Sequence, residues 1–176
     1  MNLANRITIL RILLIPFFIA FILYSKWAVA LIVFVIAAFT DAIDGYIARR
    51  TGQRTELGTV LDPIADKLII LSAFICFSVN RQITPALKIP LYVPIVVISR
   101  DAIIVLGAIL IFLIKNSLEV KPTLISKATT CVQMLTVISI LMKLAASTVL
   151  WNLAVVLTVC SGIDYVIKGS KLLNEK

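Results

Sequence analysis

Long apolar runs alternate with short polar segments along the whole 176-residue chain. The runs approach the length of about 20 residues that a helix needs to cross the hydrocarbon core of a bilayer. The connections are short and include no Gly/Ser-rich linker. This pattern predicts an all-α, polytopic integral membrane protein that forms a single domain over residues 1–176. Its six transmembrane helices are predicted at residues 7–24, 28–48, 59–79, 91–114, 125–146 and 149–167.

The composition strengthens the membrane interpretation and narrows the chemistry. Apolar residues make up 61% of the chain and charged residues 15%, against about 45–50% and about 25% in soluble domains. These values exclude a disordered chain and a disulfide scaffold, and they argue against a soluble enzyme. The chain has no histidine, which excludes histidine-based catalysis and histidine metal sites.

The basic residues predict the orientation of the helices. A net charge of +8 would suggest nucleic acid in a soluble domain, but in a membrane protein cytoplasmic loops and anionic lipid account for it. We therefore predict no nucleic-acid partner. With the N-terminus inside, eleven basic residues lie at the inner ends: Arg6, Arg11, Arg49, Arg50, Arg54, Lys115, Lys121, Lys127, Lys168, Lys171 and Lys176. Four lie at the outer ends: Lys26, Arg81, Lys88 and Lys143.

This bias places both termini and the 49–58 loop in the cytoplasm. The first apolar run lacks a small-residue cleavage site and continues into further spans, so it is interpreted as a helix of the domain rather than a signal peptide. The predicted location is the plasma membrane of a bacterium.

Four aspartates, out of nine acidic residues in the chain, lie within 26 positions at the inner ends of the second and third predicted spans. Asp41 and Asp44 are three residues apart, and Asp62 and Asp66 are four apart, so each pair shares one helix face. The short loop makes the two helices antiparallel neighbours, and the pairs can face each other. Four carboxylates this close repel unless cations lie between them. Oxygen ligands suit Mg²⁺, Mn²⁺ or Ca²⁺, and two such ions serve phosphoryl chemistry.

Other interpretations of this stretch remain open. Arg49, Arg50, Arg54 and Lys67 could form ion pairs with one or two of the aspartates, and intramembrane carboxylates also occur in ion transporters. Gly45 and Ala48 could let a ligand approach the backbone, with Arg49 as a forked cation for phosphate. They could equally be small residues that pack against a neighbouring helix.

The ordered pattern D-x2-D-G-x2-A-R-x8-G-x3-D-x3-D resembles the signature of the CDP-alcohol phosphatidyltransferases at every position. Such enzymes displace CMP from a CDP-linked lipid, usually CDP-diacylglycerol, with an alcohol, and are often homodimers. The resemblance implies that one or two Mg²⁺ or Mn²⁺ ions are held by Asp41, Asp44, Asp62 and Asp66. It implies that Asp66 is also the base that takes the proton of the alcohol. The CDP group would be cradled by Gly45, Ala48, Arg49 and Gly58.

This chemistry is consistent with the residues themselves. Metal ions would neutralise the pyrophosphate and stabilise the leaving CMP, and an aspartate can deprotonate a hydroxyl within hydrogen-bond reach. The acyl chains of the donor explain a polar active-site cavity that lies inside a lipid bilayer and faces the cytoplasm.

The residues outside the motif bear on the acceptor alcohol. A buried Arg100, with Lys127 and Lys121, suits an acidic group, although Arg100 could instead pair with Asp101. At the N-terminus, N-x2-T-x2-R places three residues on one helix stripe and resembles the opening of the phosphatidylglycerophosphate synthases: Asn5, Thr8 and Arg11. An interfacial helix anchored by its arginines is the alternative.

Two acceptors of the glycerol type remain. Phosphatidylglycerophosphate synthases typically show G-K-x-K-T where this chain has Ser126, Lys127 and Thr129 in the first, second and fourth places. The stretch from Lys121 to Lys127 looks instead like the CMP-forming cardiolipin synthases, which use phosphatidylglycerol. A short chain of this kind favours glycerol 3-phosphate as the acceptor, with phosphatidylglycerol as the alternative.

Overall fold

A computed structural model describes residues 3–51, 56–80, 87–115 and 123–174. Side chains are described for residues 9–40, 65, 67–80, 87–107, 109, 110, 113 and 123–170. These ranges contain six α-helices and no strand, which confirms the predicted number of helices and the all-α class. The helices are α1 Leu3–Leu23, α2 Trp27–Thr51, α3 Glu56–Val79, α4 Tyr92–Lys115, α5 Leu124–Leu141 and α6 Ser147–Asn174.

Two tight turns with the same hydrogen bonds join α1 to α2 and α5 to α6. In the first, Ser25 has a φ of 55°, and Lys26 N–H donates to Phe21 C=O over 2.8 Å. In the second, Lys143 has a φ of 56°, and Leu144 N–H donates to Ser139 C=O over 2.9 Å. This bond from the residue after a left-handed position closes a helix end and allows a sharp reversal.

The predicted end of the fifth helix is wrong because of the second turn. The fifth apolar run was expected to remain helical to residue 146, but α5 ends at Leu141 because the left-handed Lys143 reverses the chain. At its C-terminal end, α6 continues to Asn174, beyond the predicted end at residue 167. A helix can extend past its apolar segment into polar sequence.

The helices pack as two groups of three. Helix α1 packs against α2 and α3, and α6 packs against α4 and α5. The groups meet where α3 contacts α4 and where α5 contacts α2 and α3. Helices α2 and α3, which carry the aspartate motif, also contact each other.

The apolar core lies toward the end of the bundle that holds the two tight turns, here called the hairpin end. It includes Phe18, Phe34, Phe74, Phe77 and Ile140. At this end Asn80 Nδ2 donates to Ile22 C=O over 3.1 Å, which ties α3 to α1. The Lys143 ammonium lies 5.5 Å from the centre of the Trp27 ring, and Tyr92 packs edge-on against Trp151. The opposite end, where α2 ends and α3 begins, is the motif end.

The outer surface of α6 is apolar along most of its length. Exposed side chains form one stripe: Val149, Leu153, Val156, Val159, Ile163 and Val166. Among the described residues, Leu124–Leu141 and Ser147–Ser170 are long and apolar enough to cross a membrane. Apolar surface of this extent is unfavourable in water and typical of a protein in lipid. The structure thus indicates association with a membrane.

Candidate active site

The structure places the motif on two neighbouring helices, as predicted. Residues 41–49 belong to the last part of α2, and residues 58–66 belong to the first part of α3. Helical geometry therefore keeps Asp41 with Asp44 on one face, and Asp62 with Asp66 on another. The side chains of the motif lie outside the described residues, as do those of Asn5 and Thr8 and the whole of Lys121. The predicted contacts of these residues stay predictions.

A cluster of ion pairs lies directly beside the motif. Lys67, which follows Asp66 in α3, donates its ammonium to Asp101 Oδ1 in α4. Arg100 Nη1 donates to the same oxygen over 2.8 Å. The alternative in which Arg100 pairs with Asp101 is thus confirmed. The shared carboxylate joins α3, which carries two motif aspartates, to the buried arginine of α4.

Arg100 is 4% exposed and reaches two further helices. Its Nη2 donates to Ser126 Oγ in α5 and to Ser161 Oγ in α6, each over 2.6 Å. Its Nε is buried and has no acceptor among the described residues. The arginine is therefore fixed where α4, α5 and α6 meet.

The first turn of α5 lies against this arginine. Ser126 N–H donates to the side-chain oxygen of Thr123, which caps the helix, over 3.2 Å. Lys127 follows Ser126 and is exposed. The unpaired N–H groups of a helix N-terminus favour anions. Arg100 thus lies at the first turn of α5, bonded to the residue that precedes Lys127. The predicted role of Lys127 stays a prediction.

Thr129 occupies the position where the glycerophosphate synthases typically have a second lysine. It is fully buried, and its hydroxyl lies 2.8 Å from Ile125 C=O and 3.2 Å from Leu157 C=O of α6. This position is therefore part of the contact between α5 and α6.

Arg11 is buried at 1% exposure within the bundle. An arginine that anchors a helix at a membrane interface keeps its charged head in water, so the anchor interpretation is wrong for Arg11. Its role as a site residue stays a prediction.

Sequence reasoning missed Ser126 and Ser161 as partners of Arg100. They are 35 positions apart, and no spacing within one helix links them. Ser161 lies in a mainly apolar run, and Ser126 lies in a polar stretch where attention falls on Lys127 and Thr129. The nearest signal is Gly162: a methyl group added there would lie 3.5 Å from Arg100 Cγ, so the arginine stem passes over the glycine. Together Ser161 and Gly162 make room for the arginine on α6.

A groove of about 410 Å³ lies between α4 and α6 beside the Arg100 stem. Its lining is almost entirely apolar, with Ile95, Ile103 and Ile163 among its walls. A cavity of this kind can hold a hydrocarbon chain next to the polar cluster.

The sequence model of the CDP-alcohol phosphatidyltransferases matches residues 1–160, which include the aspartate motif and Arg100. The chain is 36% identical to the CDP-diacylglycerol–glycerol-3-phosphate 3-phosphatidyltransferase of Haemophilus influenzae, over 98% of this chain and 97% of that protein. It is 32% identical to the protein of the same name from Blochmanniella floridana, over 98% and 93%. Identity to the protein of that name from Aquifex aeolicus is 27%, over 98% of both chains.

These matches cover the helices that carry the motif and those that hold Arg100. They agree with the resemblance drawn from the spacing of eight motif residues. The chain belongs to the CDP-alcohol phosphatidyltransferase family.

Proposed function

We propose that this protein transfers a phosphatidyl group from CDP-diacylglycerol to glycerol 3-phosphate, releasing CMP and forming phosphatidylglycerophosphate. The observation that carries the proposal is the shared name of three relatives that align with nearly the whole chain, each a CDP-diacylglycerol–glycerol-3-phosphate 3-phosphatidyltransferase. The buried Arg100 at the N-terminus of α5 supports it, because a phosphomonoester acceptor needs a fixed positive site.

The names of these relatives favour glycerol 3-phosphate over phosphatidylglycerol. The arginine gives the same preference, since a phosphomonoester is nearly a dianion and the phosphodiester of phosphatidylglycerol carries one charge. Cardiolipin synthesis is therefore the alternative outcome of the acceptor experiment below.

We propose that Asp41, Asp44, Asp62 and Asp66 hold one or two Mg²⁺ or Mn²⁺ ions. Their placement as two same-face pairs on the contacting helices α2 and α3 supports this, and an all-carboxylate donor set suits these hard cations. When bound, such ions would neutralise the pyrophosphate of the donor and stabilise the leaving CMP.

The protein's own residues have separate proposed roles in proton transfer, binding of the CDP group and binding of the acceptor. Asp66 takes the proton of the acceptor hydroxyl, which makes its oxygen a nucleophile for the diacylglycerol-linked phosphorus. The CDP group lies against Gly45, Ala48, Arg49 and Gly58. Arg100 and Lys127 bind the acceptor phosphate, and we place Arg11, Lys121, Asn5 and Thr8 in the same acceptor site. The apolar groove between α4 and α6 suits an acyl chain.

We further propose that all six helices cross the plasma membrane with the motif end in the cytoplasm. The apolar exposed faces support a lipid environment. The aromatic residues Trp27, Tyr92 and Trp151 gather at the hairpin end, as expected of side chains at a membrane–water interface.

The test is an acceptor experiment on the purified protein in detergent or liposomes. CDP-diacylglycerol and Mg²⁺ or Mn²⁺ are supplied, each acceptor is added in turn, and CMP and the lipid product are measured. We expect CMP release with glycerol 3-phosphate, and loss of release when the metal is removed with a chelator. Release with phosphatidylglycerol alone would make the protein a cardiolipin synthase. Absence of release with every alcohol would overturn the transferase proposal.

A further inference from the structure

Three side chains from three helices hold the guanidinium of Arg100. Asp101 accepts from Nη1 over 2.8 Å, and Ser126 and Ser161 accept from Nη2 over 2.6 Å each. These three residues are called the arginine seat. Because both terminal nitrogens are engaged, the guanidinium has a single orientation in the bundle.

The seat fixes the arginine without cancelling its charge. Two of its three acceptors are neutral hydroxyls, and the single carboxylate is shared with Lys67. The cluster of Lys67, Arg100 and Asp101 therefore has two positive charges and one negative charge. Arg100 is the buried member of this cluster, since the side chains of Lys67 and Asp101 are 39% and 23% exposed. A surplus positive charge beside a buried guanidinium favours an anionic ligand.

The Nε–H of Arg100 is not bonded to any residue of the arginine seat. It is buried and has no acceptor among the described side and main chains. Buried donors in folded proteins are almost always paired. An anion bound beside the first turn of α5 would supply the acceptor.

A purely structural role for the seat is the competing explanation. Helices α5 and α6 already have a neutral polar contact, from Gln133 Nε2 to Thr158 Oγ1 over 3.1 Å. A contact of that kind stabilises helix packing without burying a charge. Burying an arginine is far costlier, which favours a role in binding over one in packing.

We propose that Ser126 and Ser161 are positioning residues of the acceptor site. They hold Arg100 so that its charge and its Nε–H meet the phosphate of a small phosphomonoester alcohol. The proposal rests on the proposed function, since the acceptor phosphate is taken to be that of glycerol 3-phosphate.

The experiment compares Ser126→Ala, Ser161→Ala and the double variant with the wild type in steady-state assays. Loss of one hydrogen bond to a charged group weakens binding by about tenfold. We expect KM for glycerol 3-phosphate to rise by about tenfold in each single variant and further in the double variant. The value of kcat and KM for CDP-diacylglycerol should stay within about twofold of the wild type.

Two further variants separate positioning from folding. Ser126→Thr retains a hydroxyl and should restore KM for glycerol 3-phosphate to near the wild-type value. Ser139→Ala is the matched control, because Ser139 is buried in α5 but donates to Thr136 C=O of its own helix over 2.8 Å. It should leave both KM values unchanged. Melting temperatures in detergent identify any variant that is unfolded.

Ser126 is only half buried, so we expect Ser126→Ala to fold even if Ser161→Ala does not. The test can then be made with Ser126→Ala alone. An unchanged KM for glycerol 3-phosphate in folded Ser126→Ala would overturn the proposal. A fall in kcat in Ser126→Ala that Ser126→Thr does not restore would also overturn it, in favour of a structural role. Failure of the proposed function is a different result, since the wild type itself would then release no CMP with glycerol 3-phosphate.

Discussion

The two ends of the bundle bury different kinds of side chain. At the hairpin end the core is formed by aromatic and aliphatic residues, and the buried hydroxyls of Ser78 and Ser147 donate to main-chain carbonyls three or four residues away. Toward the motif end, Arg100 and Gln133 instead bond to side chains of other helices. At the hairpin end these buried hydroxyls are satisfied locally, and Asn80 bonds to a main-chain carbonyl of α1. At the other end, a charged side chain and an amide bond to side chains of neighbouring helices.

This difference separates stability from chemistry. Close packing at the hairpin end holds the helices together and requires no ligand. The motif end keeps a positive charge inside the bundle, at a cost in desolvation that the packed region must offset. Changes to the apolar core at the hairpin end should therefore alter stability with little effect on turnover. Changes to the aspartates or to Arg100 should alter turnover more than stability.

The largest effect is expected for Asp66→Asn. Loss of the proposed base should reduce kcat by about 1,000-fold, because general-base catalysis contributes about 10²–10⁴-fold. The melting temperature in detergent should be unchanged, since the amide is nearly the same size. Some binding of CDP-diacylglycerol should remain, since three of the four proposed metal ligands are intact. Asp164→Asn is the control, because Asp164 pairs with the exposed Lys168 of its own helix. Near-normal turnover in Asp66→Asn would show that another group is the base.

Phe77→Ala should have the next largest effect, at the other end of the bundle. Phe77 is fully buried in the core, and truncation of a core phenylalanine leaves a cavity that costs about 3–5 kcal/mol. We expect a large fall in melting temperature but wild-type kcat and KM for the molecules that remain folded. Phe39→Ala is the control, since Phe39 is 67% exposed. Loss of turnover in folded Phe77→Ala would show that the two ends are not separable.

Gly107→Ala should destabilise the contact between α4 and α6. A methyl group on Gly107 would lie 2.8 Å from a ring carbon of Tyr165, whose hydroxyl donates to Ile104 C=O over 2.9 Å. Overpacking of this kind costs about 1–3 kcal/mol, seen as a lower melting temperature in detergent. Gly162→Ala is the matched substitution on α6, where the new methyl would have an ordinary contact of 3.5 Å. Equal melting temperatures for the two variants would contradict the crowding at Gly107.

Gln133→Leu should have the smallest effect, although it removes a hydrogen bond between helices. Such bonds in membrane proteins contribute about 0.6 kcal/mol on average, and Thr158 retains its own bond to Ala154 C=O over 2.6 Å. The melting temperature should fall slightly and turnover should be unchanged. Thr136→Val, whose hydroxyl bonds Val132 C=O of its own helix, is the comparison. A large loss in Gln133→Leu would mean that polar contacts stabilise the motif end.

The sequence predicted the helices well because their apolar lengths are a direct physical requirement of a bilayer. It missed the end of α5 because the turn contains Met142, Leu144 and Ala145, which read as a continued apolar run. The left-handed position is occupied by Lys143. A lysine carries no turn signal of the kind that glycine gives.

The candidate site was only partly predictable from the sequence. Regular spacing within one helix revealed the aspartate pairs, and a charge within an apolar run revealed Arg100. The seat could not be found in this way, because Asp101, Ser126 and Ser161 come from three helices whose relative rotation depends on tertiary packing. The motif side chains lie outside the described residues, so the metal site stays a prediction.

The unequal lengths of α5 and α6 have a consequence for the surrounding lipid. With 18 and 28 residues, the two helices are about 27 Å and 42 Å long, while the hydrocarbon core of a bilayer is about 30 Å thick. In the proposed membrane arrangement, lipid beside α5 would thin locally, or water and headgroups would descend to its first turn. Arg100 and Ser126 lie at that turn. Membrane thickness would then set how easily a water-soluble acceptor reaches the arginine, and longer acyl chains would hinder its entry.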